Sequence, residues 1–414
     1  MPGSPDVKPS RGLLVVMLAM AASSNVGFAL GLLGPQLRAD LEVSRTALGL
    51  LASAFFAASA AASVAAARLV QRIGPRRGIG YALATECVAC VTAGLVGDYP
   101  LLFAAAVLAG ASYAVVNVAG NRVVRALATD GRLGRAMTVK TAGVPVATTA
   151  VAVLGGVTTR WGWQPVVVGL GGAAGLIGIA AVRRLADIDR VAHSRSGGPP
   201  APPDRLGTGF LLLPVTAFCF IAGSQPLYNW VPSYLHESLD VGVGTASVLT
   251  GVATAIGIPA MVGLGRLADV VGAAHRVRFL GGLCAAIATA IVLVLLAGVF
   301  GVGTAVVGLV VGVSANLALA GLFPALIVEY APYALERGTG VAMTGYFFGA
   351  LASPVGFGAL ADRSGGYTLP WLTCLALLAT AALLCLLIAA VVRPMGAPED
   401  TAGGTPLSSP AWDA

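Results

Sequence analysis

The chain has 414 residues, of which 57% are apolar and only 10% charged, and its formal net charge is +7. Soluble domains carry about 25% charge, so this composition excludes a soluble globular protein and describes an integral membrane protein. The six cysteines all fall inside apolar runs, which reads as free thiols packed as small hydrophobes rather than as a disulfide or metal site.

A bilayer-crossing helix takes about 20 mostly apolar residues, and runs of that length recur along the chain. Residues 1–11 form a short polar tail. The first run, 12–34, is too long for a signal-peptide core of roughly 7–15 residues and is expected to stay in the membrane. Runs at 47–70, 79–97, 101–121, 141–159 and 165–182 complete six predicted helices within 12–182. Residues 183–207 contain SRSGGPPAPPDR and read as a linker with little structure of its own. Six more runs lie within 208–392, at 208–231, 243–265, 279–300, 303–328, 338–360 and 369–392. Residues 393–414 read as a disordered tail.

Basic residues orient these helices. With the N-terminus inside, 21 of the 25 Lys and Arg residues fall on cytoplasmic segments, and only Arg38, Arg45, Arg160 and Arg363 fall outside. The net positive charge thus reflects topology and gives no support to nucleic-acid binding.

ARLVQRIG at 67–74 is echoed by GRLADVVG at 265–272, an offset of 198 residues. Asn25 and Gln225 are 200 apart, and Asn117 and Asn316 are 199 apart. The chain is therefore expected to be two related halves of six helices. A third copy, GALADRSGG at 358–366, falls on the opposite membrane face, as an inverted three-helix repeat requires.

These motifs resemble the major facilitator superfamily, whose loop between helices two and three reads Gly-x-Leu-Ala-Asp-Arg-x-Gly-Arg-Arg. Gly265, Leu267, Ala268, Asp269 and Gly272 match it in the second half, and Leu69, Arg72, Gly74, Arg76 and Arg77 in the first. Ala67, Gln71 and Pro75 depart from the pattern; the resemblance implies that this loop latches the halves on the cytoplasmic side, and Gln71, standing where the pattern has Asp, argues against a charge-based latch in the first half. RWGWQP and ERGTG are further landmarks, and the resemblance covers 12–392. It implies an all-α integral membrane fold of twelve transmembrane helices in two six-helix bundles, 12–182 and 208–392, with both termini cytoplasmic. It also implies a multi-pass monomer in the plasma (inner) membrane.

By that resemblance helices one, four, seven and ten line a central cavity, and each carries an amide: Asn25, Asn117, Gln225 and Asn316. An amide facing lipid is costly, so each is expected either to bond a neighbouring helix or to meet a solute. Their matched placement favours the solute, with Asn121, Tyr228 and Arg122 beside them. Arg122 and Lys140, at the cytoplasmic mouth of the first half, favour an anionic or neutral solute, or merely flank their helices. Glu86 is the one acid clearly within a predicted span. It is expected either to carry a proton or to pair with Arg72, Arg76 or Arg77. The implied gate residues are Arg72, Arg76, Asp269, Arg135 and Glu329, with Asp269 facing Arg132, Arg135 or the start of helix five, and Glu329 facing Arg337. Gly143, Ala147 and Gly155, and Gly345, Gly349 and Ser353, form small faces on which helices can approach and slide.

No nucleotide-binding loop of the G-x-x-x-x-G-K-S/T kind occurs, so energy is expected from an ion gradient, with protons the leading choice and no cofactor. The leading function is secondary transport of a small organic anion or polar metabolite. Proton-coupled efflux of drugs or metabolites is the alternative, and a sensor on the same fold is a second. A membrane-embedded enzyme would need clustered His, Asp, Cys or Ser groups, and the predicted spans hold no His.

Overall fold

In the computed structural model, residues 9–127, 133–157, 161–186, 208–330 and 335–391 are described. They form helices joined by short turns, with no strand among the described residues. The first half comprises α1 (Pro9–Leu32), α2 (Gly34–Leu41), α3 (Arg45–Ile73), α4 (Pro75–Val96), α5 (Tyr99–Leu127), α6 (Leu133–Thr141), α7 (Gly143–Val157) and α8 (Gln164–Arg184). After a single 3-10 turn at Thr208–Leu211, the second half comprises α9 (Leu212–Ser224), α10 (Pro226–Asn229), α11 (Val231–Leu239) and α12 (Val243–Val271). It ends with α13 (Ala273–Phe300), α14 (Val302–Tyr330), α15 (Leu335–Ser364) and α16 (Thr368–Val391).

Among the described residues, eleven helical segments are long and apolar enough to cross a bilayer. The run expected as a seventh uninterrupted span is instead three pieces, α9, α10 and α11, broken at Gln225 and Trp230. Pro226 and Pro232 each sit in the first turn of the next piece, where a missing N–H breaks no helical bond. The fifth span also differs from expectation. Helix starts at Leu133 rather than near 141, and the bilayer-long segment runs from Ala136 to Gly156 across a turn at Ala142. Lys140 therefore lies within the span instead of flanking it.

The half-chain repeat is physical. Gly74 (φ 83°, ψ 157°) and Gly272 (φ 79°, ψ 167°), which close the two echoed motifs, adopt nearly the same backbone conformation. That region is accessible only to glycine, and it turns α3 into α4 just as it turns α12 into α13. Packing repeats too: α1 against α7, α3 against α5 and α4 against α8 correspond to α9 against α15, α12 against α14 and α13 against α16. The small faces make the first of these contacts. A methyl on Gly143 would collide with the α1 backbone at Met17, and one on Gly349 would lie 2.8 Å from Phe218 O on α9.

The halves meet through α3 against α15 and α7 against α12. The close approaches, Gly49 on Pro354, Gly358 on Arg45 and Gly251 on Ala152, all lie toward one face of the bundle, here called distal. Toward the other face, which carries most of the arginines, Val64 and Leu69 of α3 and Leu267 and Val270 of α12 are exposed. The two halves converge at the distal face and part toward the basic face.

Candidate solute site and gate residues

Asn117 and Asn121 stand one helical turn apart on α5 and face α6, where Lys140 is only 4% exposed. The Lys140 ammonium donates to Asn117 Oδ1 and Asn121 Oδ1, both at 2.5 Å, and to Asn117 O at 3.4 Å. Gly120 makes room for this, since a Cβ there would lie 3.5 Å from Lys140 Cδ and 3.0 Å from Val16 Cγ1. An ammonium can only donate, so it fixes both amides with oxygens toward α6 and their NH2 groups turned away. Those NH2 groups have no protein acceptor among the described residues, and both asparagines are partly exposed. No carboxylate pairs with Lys140 among the described residues.

A second polar group surrounds the breaks between α9, α10 and α11. Gln225 is the joint itself, and its backbone carbonyl accepts from the Tyr228 and Asn229 amides. Tyr228 Oη, both polar atoms of the Asn229 side chain, Ser224 Oγ and, on α14, Asn316 Nδ2 are buried with no partner among the described residues. Natural proteins leave few such atoms unsatisfied, and here several fall together. Phe28 of α1 packs edge-on against Tyr228 at 5.8 Å, and Gly31 lets α1 approach the Asn229 backbone. Asn25, on the same helix, is 9% exposed, and its side chain makes no hydrogen bond among the described residues. Asn229 and Ser224 escaped the sequence reading, although they flank Gln225 and Tyr228 directly.

Other expected residues lie elsewhere. Arg122 does not join the Lys140 group; its guanidinium donates to Val70 O near the end of α3 at 3.3 Å. Glu86 is buried on α4 and accepts from Ser112 Oγ of α5 at 2.9 Å, and no Lys or Arg pairs with it among the described residues. Arg72 is exposed, and Arg76 Nε donates to Val182 O at the end of α8. The Asp269 side chain is 77% exposed and, among the described residues, pairs with Arg276 alone, at 3.7 Å. Glu329 pairs with Arg276 of α13 rather than with Arg337. Arg132 and the side chains of Arg135 and Arg337 lie outside the described residues.

The bonds that join the halves are at the distal face. Glu237 of α11 receives Arg38 of α2 and, at 2.6 Å, Arg45 at the start of α3. Asp362, in the last turn of α15, accepts the backbone N–H groups of Arg45 (3.2 Å) and Thr46 (2.8 Å) and the Thr46 hydroxyl (2.6 Å). A carboxylate at a helix N-terminus satisfies orphan donors and meets the positive end of the helix dipole. Arg45 Nε donates to Tyr367 Oη at 3.3 Å. Asp362 belongs to the third copy of the repeated motif, GALADRSGG. Arg38 and Arg45 are two of the four basic residues that fell on the sparsely charged side, and that exceptional placement was the available signal.

The profile described as Major Facilitator Superfamily matches residues 12–354. No curated protein matches the chain. Among solved structures, the fold resembles a bacterial homologue of the human lysosomal transporter Spinster in its inward-facing, unoccupied conformation. The TM-score is 0.75 at 15% identity, covering 94% of this chain and 98% of that one. The occupied inward-facing form of that homologue gives 0.70 at 14% identity, covering 94% and 96%. A D-xylose–proton symporter gives 0.70 at 13% identity, covering 90% and 96%.

Proposed function

Because the chain belongs to the major facilitator superfamily, we propose that it is a secondary active transporter that carries a small organic anion or polar metabolite by alternating access, driven by protons. The observation that carries this reading is the pairing of a closed distal face with a parted basic face, around helices whose buried amides have no protein partner. Two bundles that rock about a central site expose it to each side in turn. The family points to a transporter rather than an enzyme. The basic face is assigned to the cytoplasm by its arginines, so the described conformation is open inward, and the protein acts as a monomer in the plasma membrane with no cofactor. Lys140 without a carboxylate partner supports an anionic or neutral solute over a cation.

The test is reconstitution in liposomes with a trapped pH dye, challenged with lactate, benzoate, D-xylose and tetraphenylphosphonium. Proton movement that depends on a carboxylate or on the sugar is the expected result. Movement driven by tetraphenylphosphonium alone would replace this reading with drug efflux.

A further inference from the structure

The Lys140 group is a built receptor in search of a charge. Lys140 is 4% exposed, and its ammonium bonds two neutral amides. Elements packed against α6 are α1, α5 and α7. Their ionisable residues are Arg11 at the exposed start of α1, Arg122 directed to Val70 O, exposed Arg125, and Tyr113 and Tyr99, which face α3. On α6 itself the other is Arg135, again a cation. Nothing in this set balances Lys140, and the two NH2 groups that it orients outward are donors in want of an acceptor.

We propose that Lys140, Asn117 and Asn121 receive the carboxylate of a monocarboxylate substrate, and that the proton on Lys140 crosses the membrane with it. The proposal rests on the transporter reading above and gives its site a substrate class and a coupling group. The bound carboxylate takes N–H bonds from Asn117 and Asn121 and balances the ammonium, so the loaded site is neutral. After the carboxylate leaves, the ammonium releases its proton to water on the same side. The neutral amine then accepts an N–H from a reoriented asparagine, and the empty carrier returns without moving an unbalanced charge through the membrane, which is costly. One carboxylate and one proton cross together per cycle, and Glu86 is left a structural role beside Ser112.

In proteoliposomes, labelled lactate or benzoate should accumulate with one proton per carboxylate. Asn121→Asp keeps the side-chain shape but places a permanent counter-charge beside Lys140; it should cut carboxylate uptake at least tenfold without lowering the melting temperature. Lys140→Arg retains a charge that it does not give up; exchange of labelled for unlabelled carboxylate should survive while proton-driven accumulation falls at least tenfold. Glu86→Gln should leave the proton count at one. Unchanged uptake in Asn121→Asp, unchanged proton-driven accumulation in Lys140→Arg, or loss of the proton in Glu86→Gln would each overturn the proposal. A measurement on the wild type alone avoids any variant that fails to fold. In weakly buffered detergent solution at alkaline pH, benzoate should take up one proton per molecule bound, and binding without proton uptake would overturn the proposal. Wild-type flux of D-xylose with none of carboxylate would sink this inference alone, flux of tetraphenylphosphonium alone would also replace the anion-or-metabolite reading with efflux, and flux of none of the probes would sink the transporter reading as well.

Discussion

Asp269 and Asp362 occupy the same place in two copies of one motif, yet the first is largely exposed on the basic face and the second caps a helix on the distal face. Asp362 sits at the end of a helix in one half and bonds the start of a helix in the other, so it can exist as seen only while the halves touch. Asp269 has no partner across the halves among the described residues. One motif is copied onto both faces and, among the described residues, joins the halves on only one; under the alternating-access proposal its carboxylate is the latch of the face that it closes.

The comparison is broken most directly at Asp362. Asp362→Ala removes the cap on α3 and the Arg45 contact, a loss of about 2 kcal/mol, which corresponds to roughly thirtyfold more distal opening. Ser53, whose hydroxyl accepts from Val355 N across the halves, is the reporter: with Ser53→Cys in a background lacking the native cysteines, maleimide labelling should accelerate by that factor. An unchanged rate would show that Asp362 does not hold the face. Glu237→Gln weakens two partly exposed ion pairs, for about 1 kcal/mol and a roughly fivefold faster labelling. Its effect should add to that of Asp362→Ala by less than the sum, since both share Arg45. Asp269→Asn should leave the labelling rate within about twofold of wild type, surface pairs being worth little; a large acceleration would deny the asymmetry between the faces.

The smallest effect separates pairs that cross the halves from pairs that do not. Arg276 and Glu329 join α13 to α14 inside one half, so Glu329→Gln should not alter labelling at all. It should change the pH dependence of melting. Burial raises the Glu329 carboxyl above its ordinary value, with Arg276 pulling the other way. Its stabilising contribution is therefore full below the unfolded-state value and fades as pH rises through the folded one. Wild-type melting temperature should fall slightly over that interval and the variant's should not; a wild-type rise there would mean that Arg276 outweighs burial.

Much of this arrangement was legible in the sequence. Apolar run lengths located the eleven bilayer-long spans found among the described residues, and the half-chain offset paired Gly74 with Gly272, which share a backbone conformation. The broken seventh span was not, because Pro226 and Pro232 lie in a run whose hydropathy is continuous, and hydropathy does not report hydrogen bonds. Lys140 stands at the edge of the predicted fifth span because a charge in an apolar chain marks a boundary on average, whereas three oxygens from α5 accept from it and the span begins before it, at Ala136. Asn117 and Asn121 were recognisable as polar residues at depth, but their orientation depends on the lysine opposite. Arg38 and Glu237 stand 199 residues apart, and nothing local to either announces the other.

The distal cluster of Arg38, Arg45, Glu237 and Asp362 sums to no net charge while holding four formal charges in contact. Opening that face separates them into water, where mobile ions screen each one, with a Debye length of about 10 Å at 0.1 M salt and about 30 Å at 0.01 M. If the face opens and shuts as proposed, dilute surroundings should prolong the shut state and saline ones shorten it. On the alternating-access proposal, salt on the distal side alone would then alter how often that face opens.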